Sequence, residues 1–197
     1  MSGVRKSHQA TRRVYKDQHR AEHWYRDEQI YFITSKVRDG RAAFFTEEAK
    51  EIFWDRFDHY CARFDFTPFV TSLVDNHYHT LGFLRVGENL GPFIKHLHGS
   101  VAKLVNDTLP ERIVPFWRGR GDWQSYFDGC IRDETQCRRA FRYTLNQSVR
   151  HGLARRVEDY PHTRVKVDID RAVKRALELN AFLEGVPYKR YARKNRS

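Results

Sequence analysis

Pro68-Phe69-Val70-Thr71-Ser72-Leu73-Val74-Asp75-Asn76-His77-Tyr78-His79-Thr80-Leu81-Gly82-Phe83-Leu84-Arg85 holds two β-rich runs separated by a two-residue turn signal. Pro68 leads into a strand over residues 69–74, Asp75-Asn76 makes a tight hairpin turn, and a partner strand follows from 77 to about 85. Side chains alternate between the two faces of a strand, so His77 and His79 point the same way and can offer ring nitrogens to one divalent metal. Downstream, Tyr143-Thr144-Leu145-Asn146-Gln147 falls in a helical segment, where residues four apart sit one above the other. Tyr143 and Gln147 then face one object, the glutamine carbonyl as third ligand and the phenol as nucleophile. Asn146 is a rival third ligand, and Tyr126, in an aromatic strand segment, a rival nucleophile.

Working outward, residues 29–37 with Ile30-Tyr31-Phe32-Ile33-Thr34 read as an earlier strand, which the Asp39-Gly40 turn ends. Thr46 caps a helix to about residue 64. Glu47 and Glu48 suit its dipole, and Ile52, Phe53, Phe57, Tyr60 and Phe64 form a core stripe. Phe93, Leu97, Val101, Leu104 and Val105 give a second amphipathic helix over 90–105. His96 and His98 lie inside it, but a spacing of two turns side chains apart on a helix, so these are surface or packing residues. The loop at 106–122 carries Arg112, Arg118 and Arg120 with two glycines, either to hold phosphates or as a solvated connection. A fourth strand runs from about 123 to 131. Asp133 or Thr135 caps a third helix to about 149, whose apolar stripe is Cys137, Phe141 and Leu145. Tyr143 and Gln147 lie off that stripe, on a face shared with Arg139 and Arg150. Gly152 ends the helix, and an amphipathic segment at 169–183 precedes a basic tail that begins at Lys189 and Arg190. The order strand, helix, strand, strand, helix, strand, helix predicts a ferredoxin-like (RRM-like) α+β fold, a four-stranded antiparallel sheet with packed helices. Three parts follow: a basic flexible arm over 1–27, a single-tyrosine domain over 28–160, and a C-terminal helix and basic tail over 161–197.

The 197 residues suffice for one core plus extensions. Thirty-six Lys and Arg against 25 Asp and Glu leave a formal charge of +11, which favours a polyanionic partner through counterion release. Trp24, Trp117 and Trp123 lie among arginines, a mixture that can stack unpaired bases while holding their phosphates, although most aromatics belong to the core. Three cysteines, Cys61, Cys130 and Cys137, contain no C-x-x-C pair and point to neither a disulfide framework nor a zinc knuckle, so a reducing cytoplasm is expected. No signal peptide and no membrane span are read in the chain.

With these motifs the chain resembles the REP-associated tyrosine transposases, part of the wider His-hydrophobic-His (HUH) group of single-strand DNA endonucleases and insertion-sequence transposases. The resemblance runs over roughly residues 30 to 160. It includes Tyr31-Phe32-Ile33-Thr34-Ser35, Asn76-His77-Tyr78-His79, Trp123-Gln124-Ser125-Tyr126-Phe127-Asp128, Ile131-Arg132-Asp133-Glu134, Arg142-Tyr143, and Val149-Arg150-His151-Gly152-Leu153. It implies an HUH endonuclease architecture acting on single-stranded DNA near a short hairpin, with the basic arm and tail as contacts. The REP-associated branch implies a monomer, favoured here over a homodimer that supplies its tyrosine in trans.

The ligand types suggest the chemistry. Two imidazoles and an amide oxygen leave positions free on Mg²⁺ or Mn²⁺, which would polarise a scissile phosphate. A free phenol titrates near ~10, so cationic neighbours would help Tyr143 to attack and form a 5′-phosphotyrosine link with a free 3′-hydroxyl. The covalent intermediate conserves the phosphodiester energy, which predicts strand transfer over hydrolysis, and the chain has no G-x-x-x-x-G-K phosphate loop. Two alternatives stand beside this reading: a domesticated, non-catalytic hairpin DNA- or RNA-binding protein, and a metal-dependent phosphodiesterase that uses water and keeps its activity in Tyr143→Phe.

Overall fold

The computed structural model describes residues 24–119 and 126–190. Residues 1–23, residues 120–125 with Arg120 and Trp123, and the tail 191–197 lie outside the described residues. In chain order come β1 (Trp24–Tyr25), β2 (Gln29–Lys36), α1 (Glu47–Arg63), β3 (Phe66–Val74), β4 (His77–Leu84), α2 (Leu90–Thr108) and β5 (Phe127–Cys130). They are followed by α3 (Glu134–Leu145), the single turn α4 (Gln147–Arg150), β6 (Thr163–Val165), α5 (Ile169–Phe182) and β7 (Lys189–Arg190).

The main sheet has the order β5-β2-β4-β3-β6, and every neighbouring pair is antiparallel. The four strands read from the sequence are joined by a fifth. β6 covers the outer edge of β3, where Ser72 and Thr163 hydroxyls bond at 2.8 Å and Leu73 N–H donates to the His162 carbonyl. The strand is only three residues long, and Thr163-Arg164-Val165 carries too little hydrophobic alternation to announce itself. Because β6 belongs to this sheet, a boundary at 160/161 falls inside one structural layer.

Helices cover both faces of the sheet. Tyr31, Ile33, Tyr78 and Leu84 face Phe53 and Phe57 of α1 and Phe93 and Leu97 of α2. Ile30, Val70 and Leu81 face Cys137 and Phe141 of α3 and Ala172, Val173 and Ala176 of α5. Coverage from both sides buries β3 and β4 along nearly their whole length, including polar Thr71, Ser72, His77, His79 and Thr80. Each fully buried Phe or Leu in these layers contributes about 1.5–3 kcal/mol relative to exposure.

Local chemistry sets the element ends. The Thr46 hydroxyl accepts from Ala49 N–H and Asp133 from Gln136 N–H, which satisfies the exposed donors of the first turns of α1 and α3. The third helix is shorter than its periodicity predicts. Asn146 breaks it with φ −89° and ψ 10°, and its Nδ2 donates to the Arg142 carbonyl at 2.8 Å, a side-chain competitor for a backbone acceptor. At the other end of the chain order, β1 pairs with β7, and buried Arg26 donates to the Leu183 carbonyl while its own backbone brackets the Tyr31 hydroxyl. The segment expected to be a flexible arm through residue 27 is therefore part of the fold from Trp24 onward. Among the described residues, no helix is long and apolar enough to cross a membrane.

Candidate active site

His77 and His79 lie on the face of β4 that α3 and α4 cover. His77 stands opposite Lys36 and His79 opposite Thr34 in the β2 register. Asn76, in the turn before β4, donates through Nδ2 to the Gly40 carbonyl at 3.1 Å, which leaves its Oδ1 facing Nδ1 of His77 at 2.6 Å. Oδ1 can only accept, so Nδ1 of His77 carries the ring proton. Nδ1 of His79 lies 2.6 Å from the Thr34 hydroxyl. Its Nε2 is buried and has no hydrogen-bond partner among the described residues.

The helical half arrives from the opposite side. Gln147 is 1% exposed, and its Nε2 donates to the Tyr143 carbonyl at 2.8 Å, which turns Oε1 toward Nε2 of His77 at 3.3 Å. Burial lowers the His77 pKa to about 4, the Gln147 contact opposing and the His151 and Lys36 charges adding to it. Burial, followed by the His77, His151 and Arg150 charges, takes His79 down to about 3. Both imidazoles are thus neutral at physiological pH. The proton of His77 is already on Nδ1, so two lone-pair acceptors, Nε2 and Oε1, face each other, and the neighbouring His79 ring holds a buried Nε2 without a partner, which is a third acceptor when Nδ1 donates to the Thr34 hydroxyl.

A divalent cation fits this donor set. It would satisfy the facing Nε2 of His77 and Oε1 of Gln147 and give Nε2 of His79 a partner, and 3.3 Å suits two ligands that each sit about 2.1 Å from one ion. Among the described residues no three histidines, cysteines or carboxylates gather closely enough to hold a metal, so an ion placed here would draw its third protein ligand from an amide such as Gln147. Asn146, the rival ligand, is exposed and shows no contact with either histidine, whereas Oε1 of buried Gln147 faces His77.

Tyr143 completes the cluster. Its ring centroid is 4.9 Å from that of His79 at 83°, and Phe32 touches both rings, stacked on His79 at 5.8 Å and edge-on to Tyr143 at 6.1 Å. The Arg150 guanidinium lies 5.0 Å from the Tyr143 ring centroid. Tyr143 is 38% exposed and opens into a cleft of about 600 Å³, lined by Arg138, Arg139, Arg142, Asn146 and Arg150, with Glu134 and Thr135 at the start of α3. The rival nucleophile Tyr126 packs near His98 in the core on the opposite face of the sheet.

Of the basic residues singled out from the sequence, Arg139 and Arg150 share this cleft with Tyr143. Arg112 is paired with Asp107, and Lys189 with Asp27. Arg118 donates its backbone N–H to the Lys36 carbonyl, Arg190 pairs with Trp24 in β7, and Arg120 lies outside the described residues. His98 is a packing residue, stacked on Trp117 at 4.2 Å with Nε2 3.0 Å from the Tyr78 hydroxyl.

Several residues of the site lie in the family-like stretches but receive no role from the sequence reading. Thr34 and Asn76 orient the two histidines, Phe32 spans His79 and Tyr143, and Arg142 lines the cleft. His151 brings its ring to 4.9 Å from that of His77. Its signal was available, since it stands four residues after Gln147 and eight after Tyr143.

The chain has the fold of a solved REP-associated tyrosine transposase bound to a REP hairpin, with a TM-score of 0.60, 17% sequence identity and 88% of each chain covered. No protein-family model matches the sequence, and no curated protein matches it.

Proposed function

We propose that the protein is a metal-dependent single-stranded DNA endonuclease and strand transferase, a transposase-type enzyme that acts near DNA hairpins through a 5′-phosphotyrosine intermediate on Tyr143. The observation that carries this reading is the position of the Tyr143 ring against His79, whose buried Nε2 has no partner among the described residues, beside His77 Nε2 facing Gln147 Oε1 at 3.3 Å. The shared fold with a transposase bound to a REP hairpin supports DNA as the partner.

In this reading His77, His79 and Gln147 hold Mg²⁺ or Mn²⁺, which when bound polarises the scissile phosphate and offsets charge on its oxygens. The Tyr143 oxygen attacks phosphorus, the bond to the 3′ oxygen breaks, and that oxygen leaves with a proton as a free 3′-hydroxyl. Arg150, beside the Tyr143 ring, places positive charge where the phosphate arrives. Phe32 and His79 limit the swing of the phenol, which lowers the cost of orienting it. Attack by a 3′-hydroxyl on the phosphotyrosine reverses the step and completes strand transfer.

The test is incubation with a pool of single-stranded hairpin oligonucleotides and Mn²⁺, followed by denaturing electrophoresis. A denaturation-resistant protein–DNA adduct, absent from Tyr143→Phe and His77→Ala, is the expected result. DNA binding without an adduct on any hairpin would favour a non-catalytic binding module.

A further inference from the structure

The arginines of the Tyr143 cleft are not equivalent. Arg138 is neutralised twice, by Glu134 at 2.7 Å and by Asp170 of α5 at 3.1 Å. Arg139, Arg142 and Arg150 are exposed and have no ion pair among the described residues. All three line the same cleft as Tyr143. Arg139 and Arg142 stand on α3 and Arg150 on α4, past the break at Asn146, and the shared cleft brings the three guanidinium groups to one side of Tyr143.

We infer that Arg139, Arg142 and Arg150 form a phosphate track along α3 and α4 that carries the single strand flanking the scissile phosphate, with Arg138 excluded from it. The inference rests on the nuclease reading for the role of Tyr143 and extends it to the path of the substrate. Unneutralised guanidinium groups select a polyanion, and their fork geometry matches phosphate oxygens. Because the Tyr143 ring opens into this cleft, a strand whose phosphate reaches the phenol must continue through it. A cleft of about 600 Å³ has room for a sugar-phosphate segment beside the Tyr143 ring. At the start of α3, Glu134 and Asp170 remove the charge of Arg138 and close that end of the track to phosphate.

The experiment uses the full chain carrying Tyr143→Phe, so that binding is read without cleavage, and fluorescent oligothymidylate as the probe over a salt series. Each of Arg139→Ala, Arg142→Ala and Arg150→Ala is expected to weaken binding and to lower the slope of log K against log salt by about 0.7. Arg138→Gln is expected to leave the slope unchanged. Unchanged slopes in the three alanine variants, or an equal drop in Arg138→Gln, would overturn the track. Adduct formation by the same variants with Tyr143 intact separates the two readings. Adducts with unchanged slopes would sink the track alone, whereas arginine-dependent slopes without any adduct would support the track and remove the nuclease reading.

Discussion

Nε2 of His77 stands 3.3 Å from Oε1 of Gln147 while Asn76 already takes the proton on the far side of the same ring. Two acceptors at that distance repel unless a positive charge lies between or beside them. The prediction is that Mn²⁺ raises the melting temperature and that a chelator reverses the rise. At a metal concentration of 100 times Kd the gain is about 2.7 kcal/mol. Gln147→Ala should lower Mn²⁺ affinity about tenfold or more by calorimetry, whereas Gln147→Glu, which adds a carboxylate, should preserve or tighten it. Equal Mn²⁺ affinity in wild type and Gln147→Ala would remove Gln147 from the ligand set.

The Thr34 hydroxyl, 2.6 Å from Nδ1 of His79, orients that ring from the neighbouring strand. Thr34→Val keeps the shape and the β-branch but removes the partner. Mn²⁺ affinity is expected to fall about 10- to 100-fold, with the metal-free melting temperature changed much less. A Thr34→Ser variant should recover most of the affinity.

His98 gives stability a pH dependence independent of metal. Burial lowers its pKa to about 3, against about 6.5 in an unfolded chain. A depressed histidine pKa means that the unfolded state takes up a proton that the folded state refuses. Stability is therefore full above about pH 6.5 and falls as pH drops toward 3, with a loss of about 2 kcal/mol from this residue by pH 5. Urea unfolding of metal-free protein at pH 7.5 and pH 5 should show a smaller acid loss in His98→Gln than in wild type.

Gly82 lies in β4 where a side chain has no room. A Cβ there would stand 2.5 Å from the Phe66 ring and 2.7 Å from the Thr67 carbonyl, the latter being backbone that cannot rotate away. Gly82→Ala is expected to cost about 1–3 kcal/mol in chemical denaturation. Because the strain falls in the strand that begins with His77, Mn²⁺ affinity should fall with it.

The mixed α+β class, the antiparallel hairpin and the shared face of His77 and His79 could be read because each depends on a local period. Two residues set a strand face, four set a helix face, and Asp75-Asn76 marks the reversal between β3 and β4. The shared face of Tyr143 and Gln147 also follows from such a period, although Asn146 splits the helix between them, whereas the meeting of that face with the histidines is a long-range contact that no local period contains. Elsewhere local signals fall short. β6 is three residues long, and its pairing with β3 depends on a long-range contact. The packing of α3 and α5 on the face opposite α1 and α2 is also tertiary, and each helix alone shows only one apolar stripe. Thr34 and Phe32 sit in a strand whose residues all read as core formers, so their contacts with His79 become visible only once β2 and β4 are paired.

The central claim is that Tyr143 becomes covalently joined to DNA. The most direct measurement is tryptic mapping by mass spectrometry of the adduct formed with a hairpin oligonucleotide and Mn²⁺, after nuclease trimming of the DNA. Trypsin cuts after Arg142 and Arg150, so the predicted result is a nucleotide phosphate on the peptide Tyr143-Thr144-Leu145-Asn146-Gln147-Ser148-Val149-Arg150, attached through the phenol. Attachment at Tyr126, or cleavage products that form in Tyr143→Phe with no covalent species, would contradict the account.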